Sequence, residues 1–213
     1  MAHIGPFAVF VGIAGLEHGF SIPLVIGYPV QVAATLIVLL LFSRRYIPLR
    51  PSRPVTAVAI GLAVFAIWIG PDLLFGPGYR RFWLFENPVT GTIGIAAQPG
   101  SYWFLILRAA GSTLLVPPVE ELFWRSWLMR WLINRDFLSV PLGKYAPSAF
   151  WITAILFASE HGSYWEVGLA AGVLYNLLLT RTRNLADCIL AHAVTNGVLA
   201  LYLVAAGQWQ YWL

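Results

Sequence analysis

Residues 101–133, SYWFLILRAAGSTLLVPPVEELFWRSWLMRWLI, form one long apolar run. A helix that crosses the bilayer needs about 20 residues, so this run is too long for a single upright span. Pro117-Pro118 lies in its middle, and because proline removes a backbone donor and clashes with the preceding turn, we expect a break or kink there. Three charged residues follow directly: Glu120, Glu121 and Arg125. A charge at the bilayer centre costs at least about 2.5–3.5 kcal/mol, which indicates that the chain uses these groups.

The composition of the whole chain agrees with a membrane protein. Its 213 residues are 59% hydrophobic and only 10% charged, whereas a soluble domain carries about 25% charged residues. Cys188 is the single cysteine, which excludes an internal disulfide and a metal site built from several cysteines. The net charge of +4 is spread over short loops rather than one basic stripe, so no nucleic-acid partner is expected.

Seven apolar stretches divide the chain, which predicts an all-α, polytopic transmembrane bundle of seven to eight helices in a single integral membrane domain, 1–213. The stretches are about 6–21, 25–43, 55–75, 101–133, 147–162, 164–180 and 185–207. An eighth short helix, or a lid, can be drawn in the loop 77–100. The N-terminal residues lack a basic region, so no cleavable signal peptide is expected.

Lys and Arg placement predicts the orientation of the bundle. Three loops on one side carry most of the basic residues: Arg44, Arg45, Arg50 and Arg53, then Arg130, Arg135 and Lys144, then Arg181 and Arg183. Only Arg80 and Arg81 fall on the other side. Because basic loops stay in the cytoplasm, seven spans give a cytoplasmic N-terminus and an outer C-terminus.

Glu120 and Glu121 are expected to have different roles, because adjacent residues of a helix face different directions. Adjacent residues point about 100° apart, and Glu121 and Arg125 are four residues apart, so they can form an ion pair on one face. Glu120 is then left without a local partner, as a general base in an apolar setting requires. The alternative is a buried ion pair beside a glutamate that faces the cytoplasm.

Two later apolar stretches repeat the pattern of polar residues one turn apart. Phe157 lies one turn before His161 and would line the pocket around it, while Glu160 is expected to face elsewhere. His192 and Asn196 share a face of the last stretch and can donate hydrogen bonds to an oxyanion. The structural alternatives are a hydrogen-bonded histidine at a helix end and an interhelical polar pair.

These three motifs in order resemble the CPBP family of intramembrane proteases, which includes the CAAX prenyl endopeptidases and bacterial self-immunity relatives. The motifs are Glu120-Glu121-x-x-x-Arg125, Phe157-x-x-x-His161 and His192-x-x-x-Asn196. The resemblance runs from Tyr102 to Leu203, within a protease-like core of about 101–207. Ser-Glu-His-Gly-Ser-Tyr-Trp, residues 159–165, is similar to a bacterial subgroup associated with exosortase-type sorting.

The resemblance implies a role for each motif residue. Glu120 would be the catalytic glutamate and His161 its partner in activating water. His192 and Asn196 would hold the oxyanion, with Glu121 and Arg125 as the supporting pair. The family has been described both as metal-dependent and as glutamate-dependent. We favour metal-free chemistry with no cofactor, since His-Glu-x-x-His is absent; the alternative is zinc held by Glu120, His161 and His192.

The resulting expectation is an intramembrane endopeptidase of the bacterial inner membrane. Its partners would be membrane lipids and a membrane-anchored or lipidated protein substrate, cut near its C-terminus. Prenylation of that substrate rests on family analogy alone. The rival functions are a proton-coupled transporter, because intramembrane Glu, His and Arg also mark ion pathways, and a non-catalytic scaffold or immunity protein.

Overall fold

The computed structural model describes residues 1–76 and 102–211, and these residues fold as seven α-helices. Their bounds follow the apolar stretches closely: α1 Gly5–Gly19, α2 Leu24–Tyr46, α3 Pro54–Phe75, α4 Tyr102–Trp131, α5 Pro147–Ser159, α6 Trp165–Thr182 and α7 Leu185–Ala206. The prediction of an all-α membrane bundle is therefore confirmed. The suggested helix or lid in 77–100 lies outside the described residues, as do Arg80 and Arg81.

Four of the described helices are long and apolar enough to cross a membrane, namely α2, α3, α4 and α7. Helix α5 is apolar but shorter, with 13 residues. Three pairs of helices pack closely, α1 with α2, α3 with α7 and α5 with α6, and α4 contacts α1, α2, α5 and α7. Helices α3 and α7 run parallel, since Asp187 near the start of α7 bonds the backbone at the start of α3. The α3–α7 crossing is close because a Cβ at Gly61 would lie 2.5 Å from the Ala191 carbonyl oxygen. The Thr195 hydroxyl donates a 2.9 Å hydrogen bond to the Gly61 carbonyl across that crossing.

Of the break or kink that was expected at Pro117-Pro118, the break does not occur, because helix α4 is continuous through these residues. The backbone instead adopts π-helical turns on either side, over Gly111–Leu115 and Leu122–Leu128. In the first of these turns the Val116 amide donates to the Gly111 carbonyl, five residues earlier. This wider register accommodates the missing proline donors without ending the helix, and π turns of this kind are frequent at functional sites.

The three basic loops meet at one end of the bundle. The Asn184 side chain donates to the Arg50 carbonyl at 3.0 Å, which joins the α6–α7 loop to the α2–α3 loop. Asp187 accepts from the Arg53 amide at 2.8 Å and thus caps the start of α3. The His3 ring packs against Phe137 of the α4–α5 loop, with ring centroids 5.1 Å apart. This shared end is the one that the charge pattern predicts to be cytoplasmic.

Candidate active site

One cavity of about 430 Å³ lies between α1, α4, α7 and the end of α5. All four residues with a predicted catalytic role line it: Glu120, His161, His192 and Asn196. Its remaining walls are mainly apolar and include Phe7, Phe10, Val11 and Ala14 of α1 and Leu199, Ala200 and Leu203 of α7. The cavity therefore combines a polar floor with walls that suit an apolar chain.

Glu120 projects from α4 into this cavity with one carboxylate oxygen unsatisfied. Its Oε2 atom is buried and has no hydrogen-bond partner within the described part of the chain. A buried polar atom without a partner is costly and calls for an explanation such as a catalytic role. A carboxylate in this state is available to a water or a substrate that enters the cavity.

His161 lies just beyond the end of α5, and its ring is oriented by a backbone hydrogen bond. Its Nδ1 is 2.8 Å from the Phe157 carbonyl oxygen, and because a carbonyl only accepts, Nδ1 carries the proton. The Nε2 lone pair is thereby left for a cavity ligand. Phe157 does not line the cavity as expected; its buried ring packs against His161 with centroids 4.7 Å apart. Trp68 packs on the same imidazole at 5.3 Å.

Glu121 and Arg125 form the ion pair that their spacing predicts, with both side chains 0% exposed and an N–O distance of 3.2 Å. The Arg125 guanidinium also donates to the Asn176 side chain at 3.1 Å and lies 4.2 Å from the centroid of Phe157.

Asn176 is a site residue that the sequence analysis did not assign. Its position in the middle of an apolar helix was the feature of the sequence that could have indicated a buried polar role. It fixes the guanidinium from α6 and bonds the Phe150 carbonyl of α5 at 2.8 Å.

His192 belongs to this network as well as to the cavity. Its Nδ1 is 2.9 Å from Oε1 of Glu121, so the neutral ring donates there and keeps Nε2 for the cavity. One turn further along α7, the Asn196 side chain donates to the Ser112 carbonyl at 2.9 Å. An amide has two N–H bonds, so the second one remains for a bound ligand.

Glu160 lines the cavity too, which corrects the expectation that it faces elsewhere. It follows the last residue of α5, where the chain leaves the helix for a short 3-10 turn, Gly162–Tyr164. Glu160 still has helical backbone angles, and it is the next residue, His161, that leaves the helical conformation. The cavity thus holds a second carboxylate that the three motifs do not include.

The cavity side chains that could bind a metal ion include a carboxylate and two imidazoles. Within residues 1–76 and 102–211, no three or more His, Cys, Asp or Glu side chains are arranged to hold one. The alternative zinc ligands Glu120, His161 and His192 share the cavity, and both imidazoles have an Nδ1 partner of the kind that orients metal ligands. They are not assembled as a coordination sphere in this conformation.

Gly168 of α6 is predicted to be essential for the position of His161. A Cβ at Gly168 would lie 3.0 Å from Cγ and Nδ1 of His161. We expect Gly168→Ala to shift the imidazole and to lower substrate turnover by roughly 10–100-fold, since about 1 Å of misplacement can cost 10²-fold. The matched control is Gly15→Ala, because nothing lies within 4 Å of a Cβ there. Equal turnover in the two variants would contradict this prediction.

Comparison with known proteins supports a family for this chain. The family model described as type II CAAX prenyl endopeptidase Rce1-like matches residues 101–198, just under half of the chain. The match includes all four predicted catalytic residues. No curated protein and no solved structure matches the chain. Residues 101–198 are thus similar to the Rce1-like type II CAAX prenyl endopeptidases, and this similarity is consistent with the resemblance of the motifs to the CPBP proteases.

Proposed function

We propose that this protein is an intramembrane endopeptidase that cleaves a lipidated or membrane-anchored protein near its C-terminus. The observation that carries the proposal is the unsatisfied Glu120 carboxylate oxygen in a cavity that also holds His161, His192 and Asn196. The protease family of residues 101–198 supports hydrolysis in general. The apolar walls from α1 and α7 suit a prenyl or acyl chain next to the scissile bond, and similarity to prenyl endopeptidases favours a prenyl group.

In the proposed reaction, Glu120 takes a proton from water while the water oxygen attacks the scissile carbonyl. His161, with its proton on Nδ1, accepts a hydrogen bond from the same water through Nε2 and thereby orients it. The carbonyl oxygen becomes an oxyanion, which the free N–H of Asn196 stabilises. His192 can add a second donor only as an imidazolium, because its neutral ring gives its proton to Glu121. The Glu121 carboxylate stabilises that cation.

The proposal is tested with purified protein in lipid vesicles and an internally quenched peptide that ends in a farnesylated Cys-aliphatic-aliphatic-X sequence. We expect cleavage on the C-terminal side of the lipidated cysteine, and slower cleavage of the same peptide without the prenyl group. Absence of cleavage would overturn the proposal. Proton-coupled solute flux in the same vesicles, with no proteolysis, would favour a carrier instead.

The proposed chemistry needs no metal ion, which gives a separate prediction. We expect active protein to contain far less than stoichiometric zinc by elemental analysis, and we expect chelators to leave peptide cleavage unchanged. A stoichiometric zinc ion that is lost together with activity, and that restores activity when added back, would show that the ligand set Glu120, His161 and His192 closes around a metal.

We further propose that the N-terminus and the basic loops face the cytoplasm of a bacterial inner membrane. The support is the meeting of the three basic loops at one end of the bundle, which the positive-inside rule assigns to the cytoplasm. Proteolysis or cysteine labelling of that end from one side of oriented vesicles measures the orientation directly.

A further inference from the structure

The apolar walls of the cavity lie outside the segment that is similar to known proteases. That segment, residues 101–198, includes the Glu, His and Asn side chains that line the cavity. The apolar lining from α1 precedes it, and Leu199, Ala200 and Leu203 of α7 follow it. The surfaces that can discriminate between apolar groups are therefore supplied by sequence outside the family match.

Helical spacing places these apolar residues in line with the polar ones. On α7, Asn196, Ala200 and Leu203 follow one another at intervals of four and three residues, so they share one face. With a rise of about 1.5 Å per residue, Ala200 lies roughly 6 Å and Leu203 roughly 10 Å beyond Asn196, away from the basic loops. Phe7 to Ala14 line the cavity from α1 with the same spacing. The polar floor thus continues into an apolar arm between α1 and α7.

Tyr211 forms the far end of this apolar arm. It lies in the short turn after α7, lines the cavity and is only 3% exposed. Its ring is 5.6 Å from that of Tyr164, which stacks on Trp68 at 6.1 Å. Trp68 in turn packs on the His161 imidazole at 5.3 Å. A row of rings therefore connects the polar floor to Tyr211, whose side chain is held by a hydrogen bond to Asp72 near the end of α3.

Ala200 keeps the middle of the apolar arm open. It is 6% exposed and lies one turn from Asn196 on the cavity face of α7. A larger side chain at this position would project into the arm roughly 6 Å from Asn196, well before Tyr211. The size of this one side chain thus limits how far an apolar chain can extend from the polar floor.

We propose that Ala200 and Tyr211 set the length of the prenyl chain that the protein accepts on its substrate, an inference that rests on the proposed endopeptidase function. The lipidated cysteine lies at the polar floor, and its chain extends between α1 and α7 towards Tyr211. Each further isoprene unit lengthens that chain. A substitution that shortens or lengthens the arm therefore changes the longest chain that fits.

The first test is Ala200→Leu, with three quenched peptides that differ only in the group on the cysteine: geranyl, farnesyl or geranylgeranyl. We expect kcat/KM to fall roughly 10–100-fold for the farnesylated peptide but less than about 3-fold for the geranylated one, since one methylene that does not fit an apolar pocket costs about 10–200-fold. The matched control is Ala205→Leu, at an exposed position of α7 that does not line the cavity, and it should leave all three rates unchanged.

The second test changes the arm in the opposite direction. Tyr211→Ala removes the ring at the far end, so we expect kcat/KM for the geranylgeranylated peptide to rise roughly 10-fold relative to that for the farnesylated peptide. A variant that only loosened the fold would lower all three rates together. Reaction of the buried Cys188 with a thiol-reactive dye reports whether each variant is folded. If Ala200→Leu does not fold, Tyr211→Ala decides the proposal.

Equal changes for all three peptides in a folded Ala200→Leu protein, or an unchanged preference for length in Tyr211→Ala, would overturn the proposal. In either case cleavage of the peptides by the wild type would leave the endopeptidase function intact. If the wild type cleaves none of the three peptides, the proposed function itself fails, and the roles of Ala200 and Tyr211 fail with it.

Discussion

Glu120→Gln is expected to lower kcat for the farnesylated peptide by roughly 10²–10⁴-fold, the range that a general base contributes, without loss of the folded state. The amide of glutamine cannot take a proton from water, while its size preserves the packing of α4. Because the Glu120 Oε2 atom has no hydrogen-bond partner among the described residues, the substitution removes no interaction that holds the helices together.

A matched control is available on α1. Glu17 is also a buried glutamate in an apolar helix, with one carboxylate oxygen lacking a hydrogen-bond partner in the described chain, but it does not line the cavity. We expect Glu17→Gln to cleave the peptide as the wild type does. Folding of both variants is followed with a thiol-reactive fluorescent dye, since Cys188 is the single cysteine and is 0% exposed. If Glu120→Gln keeps its turnover within about tenfold of wild type, it is not the general base.

The positions of the helices were predictable from the sequence, because each helix coincides with an apolar run and ends where that run is interrupted. The stretch 55–75 corresponds to Pro54–Phe75, and 185–207 corresponds to Leu185–Ala206. In both cases a proline or a capping asparagine marks the start, and Gly76 or Gly207 follows the end. The pairing of Glu121 with Arg125 was predictable for a similar reason, since it depends on a spacing of four residues within one helix.

Features that depend on departures from an ideal helix were not predictable. Pro117-Pro118 predicted a break or kink, but α4 is continuous and has π turns on either side of the prolines. Glu160 was expected to face away from His161, but both residues line the cavity, and His161 no longer has helical backbone angles. The hydrogen bond between Glu121 and His192 joins residues 71 positions apart, and helical spacing within a segment carries no information about such a contact.

Arg125→Met is expected to give the largest loss of stability in the bundle. The substitution leaves the Glu121 carboxylate, which is 0% exposed, without its cation, and removal of one partner of a buried ion pair costs about 3–5 kcal/mol. The Asn176 side chain also loses the donor that it accepts from. For a chain of this size we expect the apparent Tm to fall by about 10 °C or more, measured as the temperature at which Cys188 reacts with the dye.

Two further variants separate charge from packing in this prediction. Arg125→Lys keeps a cation beside Glu121 but loses the planar guanidinium over Phe157, so its Tm should lie between those of Arg125→Met and wild type. The double variant Glu121→Gln with Arg125→Met removes the uncompensated charge and should melt at a higher temperature than Arg125→Met alone, because residues in one network are not additive. Arg135→Met, at an exposed loop position, is the control and should leave the Tm unchanged. If the double variant melts no higher than Arg125→Met, the uncompensated Glu121 charge is not the cause of the lost stability.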